Sequence, residues 1–324
     1  MWILAMAVTF LLSALLIPAV KRFAWGIGAI DIPRDWRRMH RNIVPRDGGI
    51  AIYAAVLIGC LIFCRHTPLM MAALEGGLLL LAVGLADDVF RFPAWVKLLI
   101  QLFAAVLAVA FGTDLAGVSA VLAVFWVLAL TNAHNFVDGL DGLLGGTASV
   151  EGIALSLLFL GSGQGSRALP PLLIAAACGG FLIYNRPPAK IFAGDCGSGS
   201  IGLMLGVLSL PAVFEARWAL GALAPLFVFA YPLTDLVTAV LRRFLRGKSL
   251  FAADRAHLHH RICATGVSQP VCTAVLLALS VSLGSIGVLL ADPGMSLPAI
   301  AAIGATVCIM VGIRRYLLNV ALGG

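Results

Sequence analysis

Carboxylate, amide and histidine side chains fall into four short clusters that are separated by long apolar stretches of the chain. The densest cluster is Asn132-Ala-His-Asn135-Phe-Val-Asp138-Gly-Leu-Asp141-Gly. On a helix, the i,i+3 spacing would pair the two asparagines on one face, and it would pair the two aspartates in the same way. Mg²⁺ prefers carboxylate, amide and phosphate oxygens as ligands. The cluster therefore favours a magnesium site over a simple polar turn.

A second cluster is the acidic pair Asp87-Asp88, which ends an apolar stretch and is followed shortly by Lys97. Adjacent acids repel one another, so one of them is expected to keep its proton unless a cation lies close. Such a pair suits a general base or a Mg²⁺ site, and the lysine could meet a phosphate as a point charge. A plain charged helix end is the alternative interpretation.

The third cluster is Gly194-Asp195-Cys196-Gly-Ser198-Gly-Ser200, which leads into an apolar stretch. The free amide groups at the start of a helix attract phosphate. Asp195 would repel a bare phosphate unless a divalent cation lay between them, so it is the best single candidate for a metal ligand. The alternative is a glycine-rich turn in which a serine caps the helix.

The fourth cluster is a loop in which six lysines and arginines accompany His257, His259 and His260. These side chains could receive a diphosphate. Two of the cations, Arg242 and Arg246, are explained by membrane topology alone, but the histidines are not, because histidine is largely neutral at pH 7. No cysteine or acid stands at a convincing ligand spacing, so a zinc site is not expected around these histidines.

The elements that carry these clusters are predicted from composition. The chain has 324 residues, of which 61% are apolar and 11% are charged, whereas soluble domains are about 25% charged. Because a span needs about 20 mostly apolar residues, we predict an all-α, polytopic integral membrane protein with about 10–11 transmembrane helices. Disorder, a disulfide-rich secreted fold and nucleic-acid binding are excluded. The predicted spans lie near residues 1–20, 48–64, 69–86, 95–112, 115–131, 143–161, 169–184, 199–214, 219–241, 269–291 and 297–313.

The lysines and arginines are distributed unevenly between the loops. If the spans alternate in direction, all but three of the 22 lie on one side. The positive-inside rule makes that side cytoplasmic, with the N-terminus outside and the C-terminus inside. All four clusters map to this face, which predicts a Mg²⁺-dependent site for a phosphorylated substrate, with a second substrate dissolved in the bilayer. The three exceptions are Arg65, Arg167 and Arg217.

Several acids and the cysteines receive no role from the sequence. Asp35, Asp47 and Asp254 could equally be solvated acids that balance nearby arginines. Glu75 and Glu151 lie within apolar stretches, where an acid is costly and usually functional. The seven cysteines contain no CxxC pair, so a disulfide or zinc framework is not expected.

These motifs, in this order, resemble those of the polyprenyl-phosphate N-acetylhexosamine-1-phosphate transferases. The likeness covers nearly the whole chain, and the His-x-His-His form is similar to the bacterial WecA/TagO-type branch. The phospho-MurNAc-pentapeptide transferases of peptidoglycan synthesis carry three consecutive histidines, which this chain lacks. The matching residues are Asp31-Ile-Pro with His40 and Pro45-Arg-Asp-Gly-Gly49, Asp87-Asp88 with Lys97, Asn132 to Leu143, Pro188 to Ser198, and His257-Leu-His-His260.

The resemblance implies a single transmembrane domain over residues 1–324 in the bacterial inner membrane, with the active site on cytoplasmic loops. It implies the reaction of UDP-N-acetylhexosamine, most simply UDP-GlcNAc, with undecaprenyl phosphate to give undecaprenyl-diphospho-HexNAc and UMP. The implied cofactor is Mg²⁺, for which Mn²⁺ could substitute, and a homodimer is compatible with the family. The alternatives are the peptidoglycan transferase and a non-catalytic carrier or transporter of lipid phosphates.

The resemblance also implies roles for individual residues. The expected metal ligands are Asn135 and Asp195. The expected catalytic carboxylates are Asp87, Asp88, Asp138 and Asp141. The expected substrate-binding residues are Asp31, His40, Lys97, Asn132, Arg255, His257, His259 and His260.

Overall fold

The computed structural model describes residues 1–32, 43–216, 221–249 and 257–292, together with Thr306. It is built almost entirely of helices, as the composition predicts. The strands β1 (Ile30–Asp31) and β2 (Val44–Pro45) form one short antiparallel pair. The helices are α1 (Trp2–Ile27), α2 (Gly49–Phe63), α3 (Pro68–Phe90), α4 (Ala94–Gly112), α5 (Gly117–Val137), α6 (Leu143–Gly161), α7 (Leu169–Asn185), α8 (Gly194–Leu208), α9 (Leu210–Phe214), α10 (Ala224–Val228), α11 (Ala230–Leu245), α12 (Leu258–Cys263) and α13 (Gln269–Ala291).

Within the described residues, eight helical segments are long and apolar enough to cross a membrane. They confirm a multi-pass helical membrane protein. The first ten predicted spans each coincide with a described helix or helix pair, and the eleventh, 297–313, lies outside the described residues. Two of the ten differ in detail. Helix α2 has 15 residues and is only about 22 Å long, and the predicted span 219–241 is broken.

The break lies at Phe229, where the axes of the 221–228 segment and α11 differ by 74°. Pro232 falls in the first turn of α11. Its ring nitrogen has no hydrogen to donate to the preceding turn, so an unbroken helix is disfavoured there, whereas a new helix can begin. The hydropathy of the sequence predicts one span here, because hydropathy measures apolar length and contains no information about a bend between two helices.

Helix α8 lies at the centre of the bundle and packs against α2, α3 and α5. Glycines allow this close approach. A Cβ on Gly84 of α3 would overlap the backbone of Cys196, and one on Gly49 of α2 would overlap the backbone of Gly197. Small residues bring membrane helices together in this way, and here they bring the first turn of α8 against the ends of α2 and α3.

The described residues of all four polar clusters lie at one end of the bundle, which we call the polar end. It is the end at which α3, α5 and α7 finish and α4, α6 and α8 begin. The β1–β2 pair also lies there, with Ile30 opposite Pro45, and it leads directly into Arg46 and Asp47. Alternating helix direction therefore gathers at this end residues from Asp31 to His260, which lie far apart in the chain.

Candidate active site

Lys97 lies between two carboxylates at the centre of the polar end. Its Nζ donates to Asp87 Oδ2 at 2.8 Å and to Asp195 Oδ2 at 2.7 Å. The backbone N–H of Phe92 holds the other Asp87 oxygen at 2.6 Å. The sequence predicts that the lysine meets a phosphate; in the structure it neutralises two acids, so a substrate phosphate would have to compete with them.

Asn135 completes this group from α5. Ser198 Oγ donates to Asn135 Oδ1 at 3.0 Å, which ties the end of α5 to the first turn of α8. Asp87, Lys97, Asn135 and Asp195 line one small cavity of about 30 Å³. Two carboxylates and an amide oxygen suit Mg²⁺, and the lysine ammonium between the carboxylates shows that the site favours positive charge. The donor set therefore fits a divalent cation.

Asp88 points away from this cavity toward an arginine that the sequence interpretation did not assign to the site. Arg46 Nη1 donates to Asp88 Oδ1 at 2.8 Å, and the Asp88 side chain is only 1% exposed. Burial alone would lower the pKa of Arg46, but the surrounding carboxylates, with Asp88 first, raise it above its usual value. In the sequence, the Pro45-Arg-Asp-Gly-Gly49 segment is the signal that points to Arg46, whereas charge distribution alone treats Arg46 as one of many cations on the same side of the membrane.

Asp47, next in the chain, is fully buried rather than solvated. Burial raises the pKa of its carboxyl, although Asp88, the Cys196 thiol and Arg46 oppose that rise. Its backbone has φ of 70°, in the left-handed region that aspartate tolerates better than most residues. Of the two alternatives left open for Asp47, the solvated acid is therefore wrong, because the glycines after it pack it against α8.

A larger cavity of about 520 Å³ adjoins the same carboxylates. Asp31, from strand β1, lies on its wall, and its expected role in substrate binding stays a prediction. His40 and Arg255 lie outside the described residues. The residues that line this cavity are Ile30, Asp31, Ile32, Arg46, Asp87, Asp88, Arg91, Phe92, Lys97 and Asp195.

The Asn/Asp cluster is not one continuous helix. Helix α5 ends at Val137, and Gly142 has φ of 75°, so Asp138 and Asp141 lie on the turn between α5 and α6. The shared helical face expected for these two aspartates is therefore wrong. Asn132 remains inside α5, where its side chain donates to Leu128 O at 2.9 Å.

The two aspartates of this turn differ in their surroundings. Asp141 accepts from the backbone N–H of Ala189 at 2.9 Å, so it anchors the loop that leads to α8. Asp138 is half-buried, and the pKa of its carboxyl is raised to about 8. Burial is the largest cause, and the negative charges of Asp195, Asp88 and Asp141 add to it against Arg46.

The histidine cluster has a fixed arrangement around Asp235, which the sequence interpretation did not include in the site. Asp235 Oδ2 lies 3.0 Å from His257 Nδ1, and its Oδ1 accepts from the backbone N–H of Leu258 at 2.9 Å. The His257 ring stacks against His259 with 5.8 Å between centroids and contacts Phe136 at 4.7 Å. Asp235 is therefore the residue that orients the first histidine.

His259 is buried against Gly139, and its two ring nitrogens have no hydrogen-bond partner among the described residues. Burial, helped by His260, lowers its pKa to about 3. The ring is therefore neutral at pH 7. It could donate one hydrogen bond to a substrate and accept another, but it would add no positive charge. His260 lies beside it, with 4.2 Å between the ring centroids.

Known proteins are similar to this chain over most of its length. Residues 70–213 match the model of glycosyl transferase family 4. A probable undecaprenyl-phosphate N-acetylglucosaminyl 1-phosphate transferase of Bacillus subtilis is 33% identical over 289 residues, covering 85% of this chain and 80% of the relative.

Two further relatives match over most of their length. A decaprenyl-phosphate N-acetylglucosaminephosphotransferase of Mycobacterium tuberculosis is 34% identical over 77% of this chain and 72% of its own. An undecaprenyl-phosphate alpha-N-acetylglucosaminyl 1-phosphate transferase of Escherichia coli is 29% identical over 86% of this chain and 81% of its own. With its helices, its ordered motifs and these relatives, the chain belongs to glycosyl transferase family 4.

Proposed function

We propose that this protein transfers N-acetylhexosamine-1-phosphate, with GlcNAc as the sugar, from a UDP-sugar to undecaprenyl phosphate. The observation that carries the proposal is the group of Asp87, Lys97, Asn135 and Asp195 around one cavity at the polar end of an apolar bundle. This arrangement offers cation and phosphate ligands at the level where a lipid head group would lie. The names of the relatives agree with it.

We place Mg²⁺ at Asn135 and Asp195, whose oxygens are the kind that this ion prefers. When bound there, Mg²⁺ would neutralise the diphosphate of the nucleotide sugar. Lys97 would add a second positive charge when it exchanges its contacts with Asp87 and Asp195 for a contact with the substrate phosphate. Phosphoryl transfer depends mainly on positioning and charge neutralisation, and these groups provide both.

In the proposed reaction an oxygen of the lipid phosphate attacks the β-phosphorus of the UDP-sugar. The bond from that phosphorus to the bridging oxygen breaks, and UMP leaves with the oxygen. Asp87 would orient the lipid phosphate or accept its proton, and Asp88 supports it from the ion pair with Arg46. His257, held by Asp235, and His260 would contact the diphosphate, while Asp138 and Asp141 would order the turn beside the metal.

We place the polar end on the cytoplasmic side of the inner membrane, with the N-terminus outside. Among the described residues, the loops beside Arg46, Arg91 and Arg186 meet at this end, whereas Arg65 and Arg167 lie at the opposite end of the bundle. The cytoplasmic loops of membrane proteins carry the excess of positive residues. This orientation gives the site access to soluble nucleotide sugars and to lipid at the same time.

The proposal is tested by incubating the purified protein with UDP-GlcNAc, undecaprenyl phosphate and Mg²⁺. We expect UMP release that needs all three, and a panel of UDP-sugars ranks GlcNAc against its epimers. A carrier or transporter would bind the lipid phosphate without releasing UMP. Incubation with UDP-sugar alone tests the rival route through an aspartyl-phosphate, because a trapped phospho-enzyme would contradict direct attack.

We predict that Gly139→Ala raises the KM for UDP-GlcNAc by about tenfold, which corresponds to roughly 1.4 kcal/mol, because a Cβ at this position would overlap the His259 ring. The displaced ring would disturb His257, which stacks against it, and His260, whose tilted ring lies beside it. Steady-state kinetics at saturating lipid measure the change. Gly161→Ala is the matched control, since nothing lies within 4 Å of a Cβ there. An unchanged KM in Gly139→Ala would contradict a role of the histidine cluster in binding the UDP-sugar.

A further inference from the structure

Asp47, Asp88 and Cys196 lie together beside the proposed active site, although the sequence assigns them no common role. Asp47 precedes α2, Asp88 lies in the last turn of α3, and Cys196 lies in the first turn of α8. One ligand atom from each lies within 4.8 Å of the other two. Because the three positions are far apart in sequence, cysteine spacing does not reveal this group.

Each carboxylate in this group is only partly satisfied, because Arg46 pairs with Asp88 Oδ1 and the Cys196 thiol contacts Asp47 Oδ1, whereas the second oxygens stay open in the described part of the chain. Asp47 is fully buried, and the Asp88 side chain is 1% exposed. One oxygen of each, Asp47 Oδ2 and Asp88 Oδ2, has no hydrogen-bond partner among the described residues. Buried charges are normally paired or coordinate a metal, so these two oxygens are poised for a cation.

Gly194, at the start of α8, lets the backbone pass close to this group. Gly194 has φ of 76°, and a Cβ there would stand 3.0 Å from Asp88 Oδ2 and 3.1 Å from Asp47 Oδ1. Cys196 Sγ lies 3.7 Å from Asp47 Oδ1 and 3.4 Å from Ala193 O. Metal bonds of about 2.0–2.3 Å place tetrahedral ligands about 3.5 Å apart. Side-chain rotations that move the ligand atoms by about an ångström would therefore close the group around an ion.

We propose that Asp47, Asp88 and Cys196 form a binding site for a thiophilic divalent cation, Zn²⁺ above all, which is separate from the Mg²⁺ site at Asn135 and Asp195. A sulfur ligand selects Zn²⁺ over Mg²⁺, which takes oxygen ligands. On binding, the thiol gives its proton to solvent and the thiolate bonds to the metal. The negative charges of the thiolate and the two carboxylates then balance the positive charges of the divalent ion and of Arg46.

This site would be inhibitory. Asp88 lines the 520 Å³ cavity, which is the side from which an ion would enter, and a bound ion would withdraw Asp88 from its support of the reaction. The inhibition rests on the proposed function, whereas the binding does not. The two can therefore be measured separately in the full-length protein.

Binding is tested with Cd²⁺ in the presence of excess Mg²⁺, by the ultraviolet absorption of the Cd²⁺–thiolate bond. We expect Cys196→Ser to lose one equivalent of this absorption and Asp47→Asn to weaken its affinity at least tenfold. Cys178→Ala is the matched control, because it removes another buried cysteine away from the group. Absorption that is the same in wild type and Cys196→Ser would overturn the proposal, and so would equal affinity in wild type and Asp47→Asn.

Inhibition is tested by titrating Zn²⁺ into the transferase assay at fixed excess Mg²⁺. We expect Cys196→Ser and Asp47→Asn to need at least ten times more Zn²⁺ for half-inhibition, and Cys178→Ala to match wild type. Equal sensitivity in all four proteins would overturn the inhibitory role. If the wild type released no UMP at all while the Cys196-dependent absorption persisted, the proposed function would fail and the metal site would stand.

Discussion

Asp195→Asn is expected to lower the rate of UMP release by more than about 100-fold at ordinary Mg²⁺ concentrations. Loss of residues that only support a metal ligand costs about 10–100-fold, and Asp195 is proposed to contact the ion itself. The substitution keeps the shape of the side chain but removes its charge. Lys97 would keep its 2.8 Å contact with Asp87, so the fold around the cavity should survive.

The measurement is the initial rate of UMP release across a range of Mg²⁺ concentrations, together with thermal unfolding in detergent. Asp114→Asn makes the same chemical change at an exposed position at the opposite end of the bundle, and it should behave as wild type. Near-normal turnover of Asp195→Asn at ordinary Mg²⁺ would contradict the metal role. A matching loss of thermal stability would instead show that the residue acts through the fold.

Glu151→Leu is expected to destabilise the folded protein by about 3–5 kcal/mol, the cost of removing one partner of a buried ion pair. Glu151 lies inside the bundle on α6, with its Oε2 2.7 Å from His134 Nε2 on α5, and both side chains are fully buried. His134 Nδ1 lies 2.8 Å from Leu130 O. Because a carbonyl oxygen can only accept, Nδ1 carries a proton, and one further proton must lie between Nε2 and the glutamate.

This geometry distinguishes two substitutions at the same position. Glu151→Gln keeps an N–H donor for a neutral His134 Nε2, so it should retain most of the stability, whereas Glu151→Leu leaves the ring nitrogen unpaired. The double variant His134→Phe/Glu151→Leu removes both polar groups and should recover part of the loss. Thermal unfolding of the three variants in the same detergent tests this ranking. Equal stability of Glu151→Leu and wild type would show that the pair contributes nothing.

The pair also explains why an acid lies in an apolar stretch. His134 directly precedes Asn135, and a Cβ on Gly202 of α8 would stand 3.1 Å from the His134 Cβ. The histidine is therefore held between α6 and α8 at the level of the proposed metal ligand. Hydropathy shows only that Glu151 is an acid within an apolar stretch. It cannot show the partner, because His134 lies on another helix.

The sequence predicts the helices well because apolar length is a local property. Ten predicted spans coincide with described helices, and the four clusters lie at one end because helices of similar length alternate in direction. The same local logic misjudges the turn at Asp138 and Asp141. Their i,i+3 spacing fits a helix, but α5 ends at Val137 and α6 begins after the left-handed Gly142, so both aspartates lie in the turn between them.

The sequence by itself determined the all-helical membrane class, the position of most spans and the residue types that gather at the polar end. Only the tertiary structure decided which of those residues meet. It buried Asp47, paired Arg46 with Asp88 and placed Asp235 against His257. Hydrophobicity and motif spacing act along the chain, whereas these contacts depend on how closely glycine-lined helices pack across it.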